Sequence, residues 1–307
     1  MRLTLRQLQI FRAISSCGST TAGALSVSLS QSATSAALNE LETALGARLF
    51  DRVGKRIVLN DNGRAVLPAA LAVLDGVHGI EAAFDSGDRG SMVDLCLSAS
   101  TTIGNYLMPR LLAGFRGRHP RSRLELRIGN TREVAAAVRG FETDLGFIEG
   151  PCHESDLRVI PWLTDELVIV AAPNHPLAQS AKLSKLTADQ LRGAHWLLRE
   201  PGSGTREAVE AAIMPHLTHI ESVMVLGSSE AIKYSVAEGL GVSCLSRSVV
   251  QDLIGAKRLC VVATRLPPLT RQLSFIYHRN KVLSVSLSNF IAHCRGFDHS
   301  TDPRVSD

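Results

Sequence analysis

From Val93 onward the chain alternates short apolar runs with helix-like stretches, and this alternation constrains the fold more than any other feature. "VDLCLSAS", "LELRIG", "DLGFIEG", "ELVIVAAP", "HWLLRE", "VSCLSR" and "QLSFIYH" read as strands. Helical pieces separate several of them, among them "TTIGNYLMPRLLAGFRGRH" and "TREVAAAVRG". Such alternation implies an α/β fold, with mainly parallel sheets covered by helices on both sides. Ligands of such sheets sit beyond the carboxyl ends of the strands. The segments expected there are "SASTT" (98–102), "GNT" (129–131), "IEGP" (148–151), "REPGSGT" (199–205) and "LGSSE" (226–230).

Within "LREPGSGTRE", residues 198–207, a phosphate loop would need a lysine that is absent. A nucleophile elbow would need Gly-x-Ser-x-Gly, and the spacing around Ser203 is Gly-Ser-Gly. What remains is a glycine-rich turn feeding a helix. Its free N–H groups at the positive helix end suit a small anion, and a plain connecting loop is the alternative. Several hydroxyl- or glycine-rich turns at equivalent strand ends imply a cleft lined with donors. Ser100, Thr101, Thr102, Asn130, Ser203 and Thr205 are its candidate residues, with Gly204 letting the backbone approach closely and Arg199 adding charge. Glu149 would repel an anion unless it pairs with an arginine, faces away, or accepts from a protonated ligand.

Charge separates a head from this body. Net charge is +4, and residues 1–64 hold eight basic residues against four acidic ones, while the remainder holds twenty-five of each. A basic head on a neutral body implies that the head meets a polyanion. "LRQLQIFRAISSCGS" has helical apolar spacing and ends at Gly18. Ser19 can cap a second helix, and Ser30 a third, "QSATSAALNELETALG", which stops at Gly46. Ala37, Leu38, Leu41 and Leu45 are its expected inner face. Gln31, Ser32, Ser35 and Asn39 share the other face, where short polar side chains can read base edges in a major groove. "LFDRVGKRIVLN" reads as a hairpin turning near Gly54, with Arg52, Lys55 and Arg56 at its tip to neutralise phosphates.

"GSTTAGALSVSLSQSATSAALNELETALGARLFDR" resembles the N-terminal signature of the LysR-type transcriptional regulators. The resemblance implies an N-terminal winged helix-turn-helix, a linker helix, and a two-lobed effector domain like the periplasmic binding proteins. "STTIGNYLMP", "GFIEGPCH", "LREPGSGTRE" and "SSEAIKYSVAEGLGVSCLSR" resemble its YeiE subgroup, which implies sulfite as the effector. They are also similar to the CysB-type effector domain, which implies an oxyanion held at Ser100 and Thr102, although Ile103 replaces an amide side chain. Ala36 and Ala37 stand where the family often has a basic residue, which shifts base reading toward Gln31, Ser32 and Ser35.

The implied boundaries are a DNA-binding domain at 1–60, a linker helix at 61–90, an effector domain at 91–296 and a tail at 297–307. Within the effector domain, one lobe is expected to comprise 91–165 and 268–296, and the other 166–267. In the linker, Val66, Ala70, Val73, Val77, Ile80 and Phe84 form an apolar a/d seam, while Pro68 should bend its first turns. The family pairs this helix in a homodimer or a dimer of dimers. Implied partners are therefore double-stranded DNA, a small anion, further copies of the chain, and RNA polymerase. No motif implies a cofactor. Six scattered cysteines argue for reduced thiols rather than disulfides or zinc, hence a cytoplasmic protein. Neither a membrane-spanning run nor a signal peptide is expected. Three other readings compete: a redox sensor at Cys152, an enzyme built on Ser203 and a histidine, and a transport binding protein. The first requires an exposed thiol of lowered pKa, the second lacks a motif and has no use for the basic head, and the third lacks a leader. An organic acid is the alternative effector.

Overall fold

The computed structural model describes residues 3–53, 56–84, 93–217 and 222–297. The head begins with α1 (Leu5–Cys17), α2 (Thr20–Ser26) and α3 (Gln31–Leu45). Each start is fixed by local chemistry: Thr4, Ser19 and Ser30 accept hydrogen bonds from the N–H groups of Gln7, Ala22 and Ala33. Gly18 and Gly46 end α1 and α3 in the left-handed conformation, at φ 59° and 69°. A hairpin follows, β1 (Phe50–Val53) paired antiparallel with β2 (Arg56–Leu59). Lys55 and the turn lie outside the described residues, as does the Arg56 side chain; Arg52 is exposed.

The head core is formed by Ile10, Phe11, Ile14, Leu38, Leu41, Leu49 and Phe50. The linker helix α4 (Asp61–Phe84) closes it with Leu67, Ala70 and Leu74. This corrects the inferred seam, because Ala70 is committed to the head and Val66 is half-buried there. Val73 and Ile80 remain exposed, at 47% and 63%, and the Phe84 side chain is outside the described residues. Leu45, expected to face inward, is also exposed, since Gly46 ends the helix where the core ends. Pro68 lies inside α4 without ending it. Contrary to expectation, Asp61–Glu81 is long and apolar enough to pass a membrane-spanning criterion. Its buried face packs on the head instead.

The body follows as β3 (Asp94–Ser100), a π-helical turn (Ile103–Leu107), α5 (Met108–Arg118), β4 (Arg123–Gly129), α6 (Thr131–Arg139), β5 (Leu145–Glu149) and β6 (Leu157–Ala171). Next come α7 (Pro176–Leu183), α8 (Ala188–Arg192), β7 (Trp196–Arg199), α9 (Gly204–Leu217), β8 (Ser222–Leu226) and α10 (Ser229–Ala237). β9 (Ser243–Ser246), α11 (Arg247–Gly255), β10 (Cys260–Val261), β11 (Leu269–His278) and α12 (Val285–Arg295) complete it.

One seven-stranded sheet runs β10-β6-β11-β5-β3-β4, with β9 also on β6. The pairs β3–β4, β3–β5 and β7–β8 are parallel. The reading of mainly parallel sheets fails for the long strands, because β6 and β11 run antiparallel over Leu157–Leu167. The far end of β6 pairs with β9 and β10. Two long strands therefore carry the chain from one core to the next. The first core holds Leu97, Phe115, Phe147, Phe275 and Phe290. The second lobe is packed on both faces, by Trp196 with Ile213 on one and Ile232 with Val249 on the other.

Candidate functional site

Where β3, β5 and β7 end, the two lobes meet, and their polar side chains converge. Glu149 closes β5 and is 1% exposed. Its carboxylate accepts from the Thr102 N–H at 2.8 Å, the Thr205 hydroxyl at 2.7 Å and the Arg271 guanidinium at 2.5 Å. Arg271, from β11, is equally buried, and its Nε donates to Asp165 at 2.7 Å. It also donates to Thr205 Oγ1 and Thr102 Oγ1. Ser246 donates to the second Asp165 oxygen.

Two acids thus share one guanidinium. Burial alone would raise the Glu149 carboxyl, but Arg271 and the hydroxyl and amide donors bring it down to about 2. For Asp165, burial wins and lifts the carboxyl above its ordinary range, against the pull of Arg271 and Ser246. Burial also opposes the Arg271 charge, yet Glu149 and Asp165 hold it protonated.

A second guanidinium lies beside the first. Arg199 is 2% exposed and grips Glu200 through two bonds, at 2.7 and 2.9 Å. Its Nη1 also donates to Thr101 Oγ1 and Ser229 Oγ, both at 2.9 Å. Asn130 caps α6 by accepting from the Glu133 N–H, and its amide donates to Glu200. Ser100 and Ser203 are buried. Ser100 Oγ, close to the Glu149 carboxylate, has no hydrogen-bond partner of acceptable geometry.

The "PGSGT" turn does not simply open toward a ligand. A Cβ on Gly204 would sit 1.7 Å from the Glu149 carbonyl oxygen, so the close approach is between the two lobes. Gly202, at φ 93°, bends the turn so that its carbonyl accepts from the Arg132 N–H. Of the three possibilities open for Glu149, pairing with an arginine is the one observed. Arg271 and Asp165 were missed by the sequence reading, since nothing local marks an arginine in the strand "TRQLSFIYH". Cys152 is half-buried, and burial pushes its thiol up, the opposite of what a reactive thiolate requires. Its neighbour His153 pairs instead with Glu207 at 2.6 Å.

In the head, Gln31, Ser32 and Asn39 are exposed on α3 and Ser35 is half-exposed. The Gln31 amide donates to Ser35 Oγ at 3.0 Å, while Ser32 Oγ lies 3.0 Å from the capping Ser30 Oγ. Glu42, on the inner face, accepts from the Leu49 N–H at 2.8 Å and from Arg48 at 3.0 Å. This buried carboxylate ties the hairpin to α3, which fixes the angle between them.

Residues 5–64 match the family described as "Bacterial regulatory helix-turn-helix protein, lysR family", and residues 89–298 match "LysR substrate binding domain". The chain belongs to the LysR family of transcriptional regulators. It is 48% identical to the HTH-type transcriptional regulator YeiE of Escherichia coli over 294 residues, covering 96% of this chain and 98% of the relative. Full-length OxyR from Pseudomonas aeruginosa, solved as a point variant, superposes with a TM-score of 0.77 at 23% identity, over 96% of this chain and 94% of that one. The CcmR regulatory domain of Synechocystis PCC6803, solved in complex with 2-PG, is 30% identical with a TM-score of 0.60, over 66% of this chain and 96% of that one. The regulator therefore couples a DNA-binding head to a small-molecule-binding body, and these relatives are regulators, not enzymes.

Proposed function

We propose that this regulator reads a small oxyanion between its two lobes, and that the anion is sulfite. The observation that carries this is the buried, unpartnered Ser100 hydroxyl beside Thr101, Thr102 and two buried guanidiniums. A bound oxyanion would complete that hydroxyl's hydrogen bonding. Ser100, Thr101, Thr102, Asn130 and Ser203 supply donors in this reading, Thr205 orients Glu149 and Arg271 beside the anion, and Arg199 and Arg271 supply charge. Gly204 sets the lobe spacing. Glu149, already ionised, accepts from a ligand that keeps a proton, which favours hydrogen sulfite over fully deprotonated sulfate. Sulfite rests on the resemblance read from the sequence motifs, and the 2-PG complex of the CcmR regulatory domain supports a ligand held by this domain.

In the head, Gln31, Ser32, Ser35 and Asn39 read base edges, while Arg52, Lys55 and Arg56 hold phosphates. The cytoplasmic chain assembles through α4 as a dimer or dimer of dimers on DNA and acts on RNA polymerase. The lobes are 91–165 with 268–296, and 166–267.

Calorimetry of the full chain against sulfite, sulfate, thiosulfate and phosphate under reducing conditions tests the effector. Sulfite is expected to bind tightest, and Thr102→Val to weaken it roughly ten- to a hundredfold, since a hydrogen bond to a charged group is lost. Binding of an organic acid with none of sulfite overturns the effector and leaves the regulator intact.

A further inference from the structure

The neutral body conceals a polarised surface. From Leu95 to Leu124 there is no acidic residue, yet the stretch carries Arg110, Arg116, Arg118, Arg121 and Arg123. The last turn of α5, the connection after it and the start of β4 bring the latter four together, all exposed. α12 packs antiparallel on α5, with His293 against the Leu111 carbonyl and Phe297 beside Arg110. Among the described residues, Arg116, Arg121 and Arg123 make no ion pair. Arg118 leans on the His293 ring instead of a carboxylate. Burial lowers the His293 pKa, so the ring adds no charge of its own at neutral pH and cancels none.

Nearby acids are few. Asp94 stands opposite Arg123 in the parallel register, and Glu125 is taken by Arg127. The C-terminus of α5 contributes about half a negative charge, which offsets part of one arginine. A clear positive excess remains.

Its position in the fold identifies the partner. β3, β4 and β5 are parallel, so their amino ends lie together, at the end of the sheet away from the effector cleft. Phe141, which precedes β5 at that same end, packs against the hydrophobic cluster of the head. The arginine end of the body therefore faces toward the head, which binds DNA. We infer that Arg116, Arg118, Arg121 and Arg123 form a second DNA-binding surface, one that holds the phosphates of duplex flanking the sites read by the heads. Guanidiniums without base-reading partners give a contact that ignores sequence and responds to salt.

The test uses the full-length protein and two DNA fragments. One ends at the sites bound by the heads, and the other extends by about 20 bp on each side, two helical turns. The parent should bind the longer fragment more tightly and with a steeper salt dependence. The triple variant Arg116→Ala/Arg121→Ala/Arg123→Ala should lose that difference, its slope on the longer fragment falling by about 2–3 for each bound copy, near 0.9 per phosphate no longer neutralised. Binding to the short fragment should not change, and the three lysine replacements should keep the steep slope. Equal slopes for parent and triple variant on the long fragment overturn the inference. So does intact DNA binding with reduced transcription by RNA polymerase, which would make the patch a dock for an acidic protein. Loss of assembly by the triple variant in sedimentation would assign the patch to contacts between copies, and also overturns it.

Discussion

Arg271 is the residue on which the lobe interface turns. It is buried between Glu149 and Asp165 and reaches hydroxyls from both lobes. Removing one partner of a buried ion pair leaves an uncompensated charge, which typically costs about 3–5 kcal/mol. Arg271→Met should therefore destabilise the body by about that amount in urea unfolding at pH 7. The pH dependence has a definite sign. Glu149 is depressed from an ordinary 4.5 to about 2, so its stabilisation is complete above about pH 4.5 and is lost as pH falls toward 2. In Arg271→Met that depression disappears. The variant's deficit should then shrink on acidification, as the two orphaned carboxyls take up protons. A deficit that stays constant from pH 7 to pH 4 would show that Arg271 acts by packing alone. The sequence marked Glu149 as anomalous and left open whether it pairs with an arginine, faces away or accepts from a protonated ligand. Arg271 lies 122 residues away, and only the antiparallel pairing of β11 with β5 brings the two together. The same holds for Gly204, whose need for a bare Cα comes from the Glu149 backbone in the other lobe.

At the scale of elements, the head was the most legible part. Ser19, Ser30, Gly18 and Gly46 act within a few residues of themselves, so sequence spacing suffices to place the helices they bound. The body was less so. β6 begins at Leu157, ahead of the apolar run that revealed it, because its first half pairs with β11 while residues 158–166 stay half-buried or exposed. The helix after β3 opens with a π-helical turn that no periodicity announced. The clean definition of α3 permits a two-part test of the head. Gln31 and Arg52 occupy different elements and should fail differently. Gln31→Ala removes a side chain able to grip a base edge, so discrimination between operator and random DNA should drop by about 1–3 kcal/mol. Arg52→Ala should weaken both alike and lower the salt slope by about 0.9 for each bound head. Competition binding at several salt concentrations separates them, and identical behaviour of the two variants would reject the division of labour between helix and hairpin.

For the molecule as a whole, the linker helix decides whether two heads can act together. Its 24 residues extend about 36 Å. Only part of that length is covered, because Leu67, Ala70 and Leu74 dock on the head while Val73 and Ile80, one heptad apart, stay exposed. The linear seam read from the sequence mixed these two faces, since a 3.5-residue repeat cannot distinguish the side that meets its own head from the side left for a partner. The structure separates them, and so gives variants with opposite expectations. Val73→Glu sets two carboxylates against each other in a paired seam and should shift sedimentation from dimer or tetramer toward monomer. Its unfolding midpoint as a monomer should not change, because the side chain is solvent-exposed within one chain. Leu67→Glu buries a charge in the head core and should unfold the head whatever the state of assembly. If Val73→Glu remains fully assembled, the exposed stripe of α4 is not what joins the copies. The contact would then have to come from the bodies, and operator affinity should stay at the parent level, whereas a seam broken at Val73 should reduce it sharply as the second head is lost from each complex.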